Sequence, residues 1–359
     1  MSDDSFTEVT SSSWLERMGG AVVGGILSPV LVLLGVVLVF IIEWDAADNR
    51  RALADGVRDV ISVGSVRVNP ENEGQLVYLS AMATPVSSVR DSVFELDLKV
   101  LRLKRSVEMF QWVEHSESET TKKIGGEIET ATTYTYKKEW SEESENSNLF
   151  KVTQGHVNPK VMQYKSEVRT SQAVHVGPFL LGAGLVKQMK DFTPYRVNFI
   201  PSALKSAVIS GDGVIYIKSC AGSSPESPMI GDLRVSFSVV KPGVISVVGR
   251  QHGAVLVPYK CENGPEIALI GRGQIPAGLL FEKAQADNRH GLWIMRGLLV
   301  LMIAVGIFLG FKPVCVFLDI IPCLGDLGEV AFGFIAIVIG GVIGSVAVAI
   351  SWLYFYIKI

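Results

Sequence analysis

The sequence predicts an α+β membrane protein, in which a β-rich soluble body over residues 74–275 lies between one N-terminal and two C-terminal transmembrane helices. Long apolar segments lie near both ends of the chain, and none of similar length lies between them. The 359-residue chain is 48% hydrophobic, and its mean hydropathy of +0.34 is too high for an ordinary soluble protein of this size. In the central region apolar and polar residues alternate with a period of two, which is typical of half-buried strands.

The first apolar segment, residues 20–42, follows a short N-terminal tail over residues 1–19. It is long enough to cross a membrane, because a helix of about 20 apolar residues spans a hydrocarbon layer of about 30 Å. A cleaved signal peptide would have a shorter apolar region and a small-residue cleavage site after it, whereas Glu43 and Trp44 follow here. We therefore predict a retained anchor, continued by a stalk and linker over residues 43–73.

Two further spans are predicted near the end of the chain. A stalk helix over residues 276–291 begins at Pro276, because proline is well tolerated at the start of a helix. It leads into the second span, residues 292–311. The third span, residues 330–357, contains no charge and is longer than a perpendicular span requires, so it is expected to tilt. Residues 312–329 are predicted to be a loop between these two helices.

Each span carries small residues four positions apart, which lie on one helix face and let two helix backbones approach closely. These candidate helix-packing residues are Gly20, Gly24, Gly306, Gly310, Gly340 and Gly344. Gly341 and Ser345 form a second such pair on the third span. The spacing is compatible with packing of the three helices within one chain and with self-association of several chains, and both alternatives stay open.

The clearest element of the body is a long hairpin, predicted over residues 107–140, whose polar tip contains Gly125 and Gly126. Aromatic residues displayed on a sheet face are typical of contact surfaces. The candidate contact residues are Trp112, Tyr134, Tyr136 and Trp140. The alternative is that these rings pack within the body. A second group of strands follows a Ser- and Pro-rich loop over residues 221–228.

The composition and the motifs predict a protein that is not an enzyme. The net charge of −3 includes no basic excess, so nucleic acid is excluded as a partner. The five histidines are scattered at no metal-ligand spacing, and the sequence contains neither a phosphate-binding loop nor a nucleophile elbow. We therefore predict no catalytic residue, no cofactor and no metal site.

The four cysteines form no Cys-x-x-Cys pair, which excludes zinc ribbons and thioredoxin-type sites. Cys220 and Cys261 lie in the body, where they form either a disulfide, if the body faces an oxidising compartment, or two separate thiols. Cys315 and Cys323 lie beside the second span.

Several blocks of this sequence resemble the LUMA family, which is also called the transmembrane protein 43 family. The most specific are the VEMFQW block at residues 107–112 and the GDLRVSFS block at residues 231–238. The other blocks are Glu71–Gly74, Tyr134–Tyr136 with Glu139 and Trp140, Asn158 with Pro159, Gly177–Leu185 and Trp352–Tyr354. The resemblance covers nearly the whole chain.

This resemblance implies a multi-pass membrane protein of the endoplasmic reticulum and inner nuclear membrane in animals, or of the inner membrane in bacteria. It also implies a lumenal or periplasmic body and a role in membrane organisation through self-association and, in animals, through contacts with emerin and lamins. No catalytic residue follows from it. The family has four spans, whereas three are predicted here. Basic residues close to the spans favour a cytosolic body instead, but that rule is weak for long loops.

The sequence therefore favours a non-catalytic membrane scaffold, which contacts membrane lipids, copies of itself and membrane or nuclear-envelope proteins. The alternative is a lipid-binding or lipid-sensing protein. A continuous apolar pocket in the body that opens at membrane level would favour lipid binding, and a filled core would favour the scaffold. A hydrolase would need acids or a nucleophile and base that converge in a cleft, and the sequence offers no such set.

Overall fold

Three long helices and a β-rich body make up the computed structural model, which describes residues 5–261 and 264–356. The body lies between one N-terminal and two C-terminal helices, which confirms the predicted α+β class. The four helices are α1 (Trp14–Asp59), α2 (Ala183–Val186), α3 (Ala277–Leu318) and α4 (Pro322–Tyr356). By length and composition, α1, α3 and α4 could each cross a membrane.

The strands of the body, with one strand that precedes α1, are numbered in chain order. They are β1 (Ser5–Ser12), β2 (Ile61–Ser62), β3 (Leu76–Pro85), β4 (Val89–Asp91), β5 (Leu96–Leu98), β6 (Arg102–Lys122), β7 (Ile128–Ser141), β8 (Glu167–Thr170), β9 (Ala173–Val176), β10 (Phe179–Gly182), β11 (Thr193–Tyr195), β12 (Ala207–Ile209), β13 (Ile215–Ile217), β14 (Leu233–Val240), β15 (Gly243–His252), β16 (Val255–Val257) and β17 (Leu269–Arg272).

Helix α1 is one continuous helix of 46 residues, so the first span and the residues after it form a single rod that ends at Asp59. The polar segment after Glu43 is rich in alanine and arginine, which are good helix formers, and it contains no proline. At the other end the Ser13 side chain caps the helix by accepting a hydrogen bond from the Glu16 amide at 3.3 Å.

Helix α3 begins directly after Pro276 and continues through Pro313 to Leu318. Helix α4 begins at Pro322, so only residues 319–321 connect the two helices. The loop expected over residues 312–329 is therefore mostly helical, which corrects the prediction. The apolar residues before Asp319 continue the packing face of α3, where Cys315 and Val316 are buried.

A small closed barrel forms one half of the body. Its pairings run from β3 to β9, β10, β16 and β15, and β15 pairs again with β3, which closes the ring. The parallel pair in it joins β10 to β16. Buried apolar side chains fill the interior, among them Val77, Phe179, Leu181, Ile245 and Val247.

A second sheet forms the other half of the body, in the order β1-β7-β6-β14-β13-β12, with β8 paired to β6 and β11 paired to β14. In β14, Leu233, Val235 and Phe237 are buried while the residues between them are less so, as the predicted alternation requires. The β4–β5 hairpin adds Val89 and Leu96 to the same core.

The ends of α1 and α3 pack against the barrel and fix the body beside the helices. Leu53 of α1 and Phe281 of α3 share an apolar cluster with barrel residues such as Val248. The approach is close at Gly56, where a Cβ atom would lie 2.7 Å from Ile267 Cδ1 and 2.8 Å from Phe281 Cε1. A larger residue at this position would therefore have to displace these two buried side chains.

The segment before α1, expected to be a tail, forms strand β1 instead. It pairs antiparallel with β7 over its whole length, from Ser5 opposite Thr135 to Ser12 opposite Ile128. Its hydroxyl-bearing and β-branched residues suit an exposed strand. Together with β7 and the outer part of β6 (residues 111–122) it forms a three-stranded extension of the body, which we call the ribbon.

Candidate functional site

The ribbon is polar on both of its faces. Cross-strand hydrogen bonds join hydroxyl groups along it, between Thr7 and Thr133 at 3.0 Å and between Ser118 and Thr132 at 2.9 Å. Most residues of its outer part are exposed, and several of them are glutamates. Such a surface is suited to water and not to hydrocarbon.

The ribbon meets the helices at its tip, where six charged residues form a cluster that we call the tip cluster. Its members are Arg17 of α1, Lys122 of β6, Lys312 of α3, Asp319 of the α3–α4 connection, and Asp326 and Glu329 of α4. Three cations face three carboxylates, so the cluster is electrically balanced. It joins three parts of the chain that are far apart in sequence, namely the start of α1, the end of β6 and residues 312–329.

Asp319 and Lys122 form the centre of the tip cluster. The Asp319 side chain is fully buried. It pairs with Arg17 and accepts a hydrogen bond from Lys122 Nζ at 2.8 Å. The same ammonium group lies 2.9 Å from Asp326 Oδ1 and 2.9 Å from Glu329 Oε2.

Opposing effects act on the pKa of the central lysine. Burial by itself would lower the pKa of the Lys122 ammonium group, but its bonds to the carboxylates of Asp319, Glu329 and Asp326 raise it well above the ordinary value. Lys312 completes the cluster through an ion pair with Glu329 at 2.6 Å.

Backbone groups and one tryptophan hold the tip in place around these charges. Arg17 Nη1 donates to the Gly126 carbonyl at 2.6 Å, and the Gly125 amide donates to the Ile320 carbonyl at 3.1 Å. Trp14 Nε1 donates to the Val316 carbonyl at 2.9 Å. Its ring lies so close to Gly126, which has a φ of +81°, that a Cβ atom there would overlap it. Only glycine fits both the backbone and the contact.

The candidate helix-packing glycines of α3 and α4 lie at contacts within the chain. A Cβ atom at Gly340 would lie 2.8 Å from Ala304 Cα, and one at Gly344 would lie 2.6 Å from Val300 Cγ2. Gly306 is equally close to Val32 Cγ2, at 2.9 Å. These close approaches join α3 to α4 and to α1.

The other candidates lie in more open surroundings. A Cβ atom at Gly310 would lie 3.0 Å from Ser28 Oγ, and one at Gly24 would lie 3.5 Å from Leu309 Cδ2. A Cβ atom at Gly20 would have no other atom within 4 Å, and the same is true at Gly341. Packing between chains stays a prediction. The face of α4 at Gly341 is open, so a helix of a second chain has space to approach there.

Among the candidate contact residues, Tyr136 is covered by the body itself and is only 6% exposed. Its hydroxyl donates to Glu114 Oε2 at 2.7 Å and accepts from the Val152 amide at 2.8 Å. Its ring stacks on His156 with a centroid distance of 3.9 Å. Burial and the bond to Glu114 raise the pKa of Tyr136 to about 12, so it is a neutral donor near neutral pH.

The other three rings are partly exposed. Trp112 contacts His156 edge to face at 4.7 Å between centroids. Trp140 lies under the Arg234 guanidinium at 4.7 Å, and Tyr134 stacks on Phe6 of β1 at 6.5 Å. Their role as a contact surface stays a prediction, which depends on the exposed parts of these three residues.

A second buried ion pair lies at the opposite end of the helices, close to the body. Glu43 of α1 is fully buried, and its two carboxylate oxygens accept from Arg296 Nε at 2.6 Å and from Nη2 at 2.8 Å. The Arg296 guanidinium also lies 4.7 Å from the centre of the Trp293 ring. Nearby, Arg51 Nη2 donates to the Phe355 carbonyl at 2.6 Å, which caps the C-terminal end of α4.

Of these charged residues, only Glu43 was singled out from the sequence, as the residue that follows the first span, and no pairing was predicted. Isolated charges at the edges of apolar runs are a usable signal, and Arg17, Glu43 and Arg296 all stand there. Their pairing was hidden because the partners are more than 250 residues apart. Over the described ranges 5–261 and 264–356, no group of His, Cys, Asp or Glu has the geometry of a metal site. All four cysteines are free thiols.

Proteins of several animals are similar to this chain in sequence. Residues 109–357 match the family model described as Transmembrane protein 43. Transmembrane protein 43 of Rattus norvegicus is 29% identical over 353 residues, which cover 95% of this chain and 87% of that protein. The Homo sapiens protein of the same name is 28% identical with the same coverage. The Drosophila melanogaster homolog is 29% identical over 257 residues, or 70% of this chain and 67% of that protein. No solved structure matches.

Proposed function

Because this chain belongs to the transmembrane protein 43 family, we propose that it is a non-catalytic membrane scaffold whose copies associate side by side in the bilayer. The observation that carries the proposal is the ribbon, a polar element that extends beside apolar helices.

The ribbon and the apolar part of α1 have nearly the same length. From Gln111 to Lys122 the strand β6 extends about 36 Å, at about 3.3 Å per residue. From Arg17 to Glu43 the helix α1 extends about 39 Å, at about 1.5 Å per residue. Since the tip cluster ties Lys122 to Arg17, the ribbon passes the same depth of membrane as the helix.

A polar ribbon at that depth must be shielded from the surrounding lipid. Irregular or edge-exposing backbone is tolerated inside a membrane only where protein buries it or where it lines a water-filled cavity. The described pairings leave one edge of β1 and the outer edge of β6 at residues 115–122 without a neighbouring strand. A second copy of the chain could supply that cover, so the ribbon favours self-association.

The filled body supports a scaffold rather than a lipid-sensing body. Apolar side chains occupy the interior of the barrel, where Val77, Val176, Phe179 and Val247 are fully buried. The second sheet has its own packed core around Phe94 and Val235. An acyl chain would have to displace these side chains.

The family resemblance supports a location and a class of partner. We propose a lumenal body in the endoplasmic reticulum and nuclear envelope of a eukaryotic host, or a periplasmic body in a bacterial host. Membrane and nuclear-envelope proteins, of the emerin and lamin type where they exist, are the proposed partners.

Cysteine crosslinking in native membranes tests the self-association. In a chain without its four native cysteines, Glu117→Cys and Glu119→Cys place single thiols on the exposed outer ribbon. Val66→Cys is the matched control, because Val66 is 88% exposed but lies on the body away from the ribbon. We expect oxidation to give covalent dimers from the two ribbon variants and monomers from the control. Monomers from all three variants, or dimers from all three, would contradict the proposal.

A further inference from the structure

The connection between β7 and β8 carries exposed apolar side chains together with positive charge. Its second part, residues 146–166, contains three lysines and no acidic residue, and we call it the basic loop. Leu149 is 80% exposed, Val157 is 69% exposed and Val161 is 74% exposed. Single exposed apolar residues are common on soluble proteins, but large apolar side chains beside lysines, without acids, are typical of segments that lie on a membrane surface.

The basic loop is held firmly against the outer edge of β6. The buried side chain of Asn158 takes the place of a neighbouring strand there, because its Oδ1 accepts from the Trp112 amide at 2.8 Å and its Nδ2 donates to the Trp112 carbonyl at 2.8 Å. The Asn158 amide also donates to Ser147 Oγ at 2.9 Å. These bonds fix the backbone next to Leu149 and Val157, so the two exposed side chains stand on a rigid support.

The basic loop lies on the side of the sheet that is turned towards the helices. Side chains at alternate positions of a strand share one face, so Lys122 and Glu114 of β6 lie on the same face. Lys122 binds Asp319 in the connection between α3 and α4. Glu114 accepts a hydrogen bond from the Lys151 amide of the basic loop at 2.6 Å. The loop and the helix contact therefore lie on one side of the ribbon.

The basic loop also lies near the level at which the apolar part of α1 ends. Arg17 and Lys122 mark a common level, because the tip cluster holds them together. Glu114 and Trp112 lie about 26 Å and 33 Å from Lys122, at about 3.3 Å per residue. On α1, Ile42 ends the apolar segment about 38 Å from Arg17, at about 1.5 Å per residue. The loop thus meets the ribbon about 5–11 Å inside that end, close to the depth of about 5–10 Å at which interfacial segments lie.

The charge of the basic loop suits an anionic surface. The side chains of Lys151, Lys160 and Lys165 are exposed. Lys151 Nζ forms an ion pair with Glu8 of β1 at 2.5 Å, so we assign no lipid contact to it. Exposed lysines near a bilayer are attracted to acidic headgroups over a distance of about 8 Å without forming a specific pocket. Lys160 and Lys165 are the residues expected to act in this way.

We propose that the basic loop is inserted in the headgroup region of the membrane leaflet next to the body. Its exposed apolar side chains contact the upper parts of the acyl chains, and Lys160 and Lys165 face acidic headgroups. The inference rests on the membrane depth proposed for the ribbon, but it does not require self-association. A second copy of the chain is a poorer occupant, because its acidic outer ribbon offers no apolar surface to Leu149, Val157 and Val161.

Fluorescence quenching in vesicles tests the insertion. In a full-length chain without its four native cysteines, Leu149→Cys and Val157→Cys would each carry the fluorophore NBD, in vesicles of phosphatidylcholine and phosphatidylglycerol. Val66→Cys is the matched control, because Val66 is exposed on the body. We expect lipids with a nitroxide on the upper acyl chain to remove most of the emission at residues 149 and 157 and to leave that at residue 66 unchanged. Equal quenching at all three sites, or none at residues 149 and 157, would overturn the proposal.

A lysine variant tests the contact with acidic headgroups. We expect quenching at residue 157 to be stronger in vesicles with phosphatidylglycerol than in vesicles of phosphatidylcholine alone. Lys160→Gln with Lys165→Gln should remove this difference. Lys190→Gln with Lys205→Gln makes the same change in charge at exposed positions outside the loop and should preserve it. An unchanged response to phosphatidylglycerol in the first double variant would overturn the assignment of the two lysines.

Dilution separates lipid from a second copy as the occupant. At less than one chain per vesicle no neighbouring copy is available, and quenching at residues 149 and 157 should be the same as at high density. Quenching that appears only on dilution would show that a neighbouring copy covers the loop, and it would overturn the proposal. Quenched labels in a chain whose ribbon gives no crosslinked dimers would contradict self-association alone. Crosslinked dimers with unquenched labels would overturn the present inference alone.

Discussion

Asp319 holds together the end of the molecule that lies farthest from the body. It is the fully buried carboxylate of the tip cluster, and it binds Arg17 and Lys122 at the same time. A buried charge is tolerated only when partners of opposite charge replace its hydration. Here the N-terminal helix and the hairpin each supply one of those partners, so a single side chain connects both to the α3–α4 connection.

Asp319→Asn should therefore destabilise the fold much more than the loss of a surface charge. The change leaves Arg17 without a carboxylate partner in the described cluster, and breaking a buried pair in this way costs about 3–5 kcal/mol. Asp326→Asn is the matched control, because its side chain is 67% exposed, and a surface pair contributes about 1 kcal/mol or less. Reversible unfolding in mixed micelles would measure both free energies. Equal losses for the two variants would contradict a buried, shared role for Asp319.

Elements that depend on local pattern could be predicted from the sequence. The three apolar segments, the long hairpin and the alternating strand at residues 233–240 each carry their signal within a few neighbouring residues. The start of α3 after Pro276 is a local signal of the same kind. Helix ends were harder to predict. A helix continues into a polar segment when that segment contains no helix-breaking residue, and α1 continues in this way up to Asp59.

Elements that depend on distant partners could not be predicted. Strand β1 has only eight residues and forms because β7, more than 100 residues later, offers it an edge. The barrel closes through the pairing of β3 with β15, which no short segment specifies. The tip cluster has the same origin, since charged residues near spans are visible in the sequence but their pairing is a property of the fold.

The spacing of small residues on α4 predicts helix packing, but it does not tell which face of α4 packs against a neighbouring helix. The structure distinguishes the two faces. Gly340 faces α3, where a larger side chain would meet the Ala304 backbone at 2.8 Å or less. Gly341, one residue later, has open space around it. Gly340→Leu should therefore push α3 and α4 apart and cost about 1–3 kcal/mol, since overpacking forces backbone shifts.

Gly341→Leu should leave the unfolding free energy within about 0.5 kcal/mol of the native chain, as surface changes usually do. If α4 also packs against a second copy, this substitution should reduce crosslinked dimers while the monomer stays folded. Unfolding in micelles and crosslinking in membranes measure the two effects separately. A larger loss of stability at Gly341 than at Gly340 would show that the helix faces are assigned incorrectly.

At the scale of the whole molecule, the body is attached to the helices at two places that lie at opposite ends of the bundle. Near the body, Leu53 and Phe281 share an apolar cluster with the barrel. At the far end, the ribbon brings Lys122 to Asp319. The helices between these points are apolar on their outer surface, whereas the ribbon is polar. Two surfaces with opposite preferences for solvent thus extend side by side. In the proposed scaffold, where the ribbon lies at membrane depth, a neighbouring copy or a water-filled gap would separate the ribbon from lipid.

This arrangement predicts that the tip of the ribbon and the body are exposed on opposite sides of a membrane. Ile124 at the tip is 92% exposed and Val66 on the body is 88% exposed, so cysteines there are readily labelled in a chain that lacks the native cysteines. In sealed, right-side-out microsomes a membrane-impermeant maleimide should modify Ile124→Cys and spare Val66→Cys, because the body is proposed to be lumenal. Permeabilisation with detergent should expose both sites and serves as the control. Labelling of Val66→Cys alone would place the body in the cytosol while keeping the two sites on opposite sides. Labelling of both sites before permeabilisation, or protection of both, would mean that the ribbon stays in water beside the body and that the tip cluster opens in the bilayer.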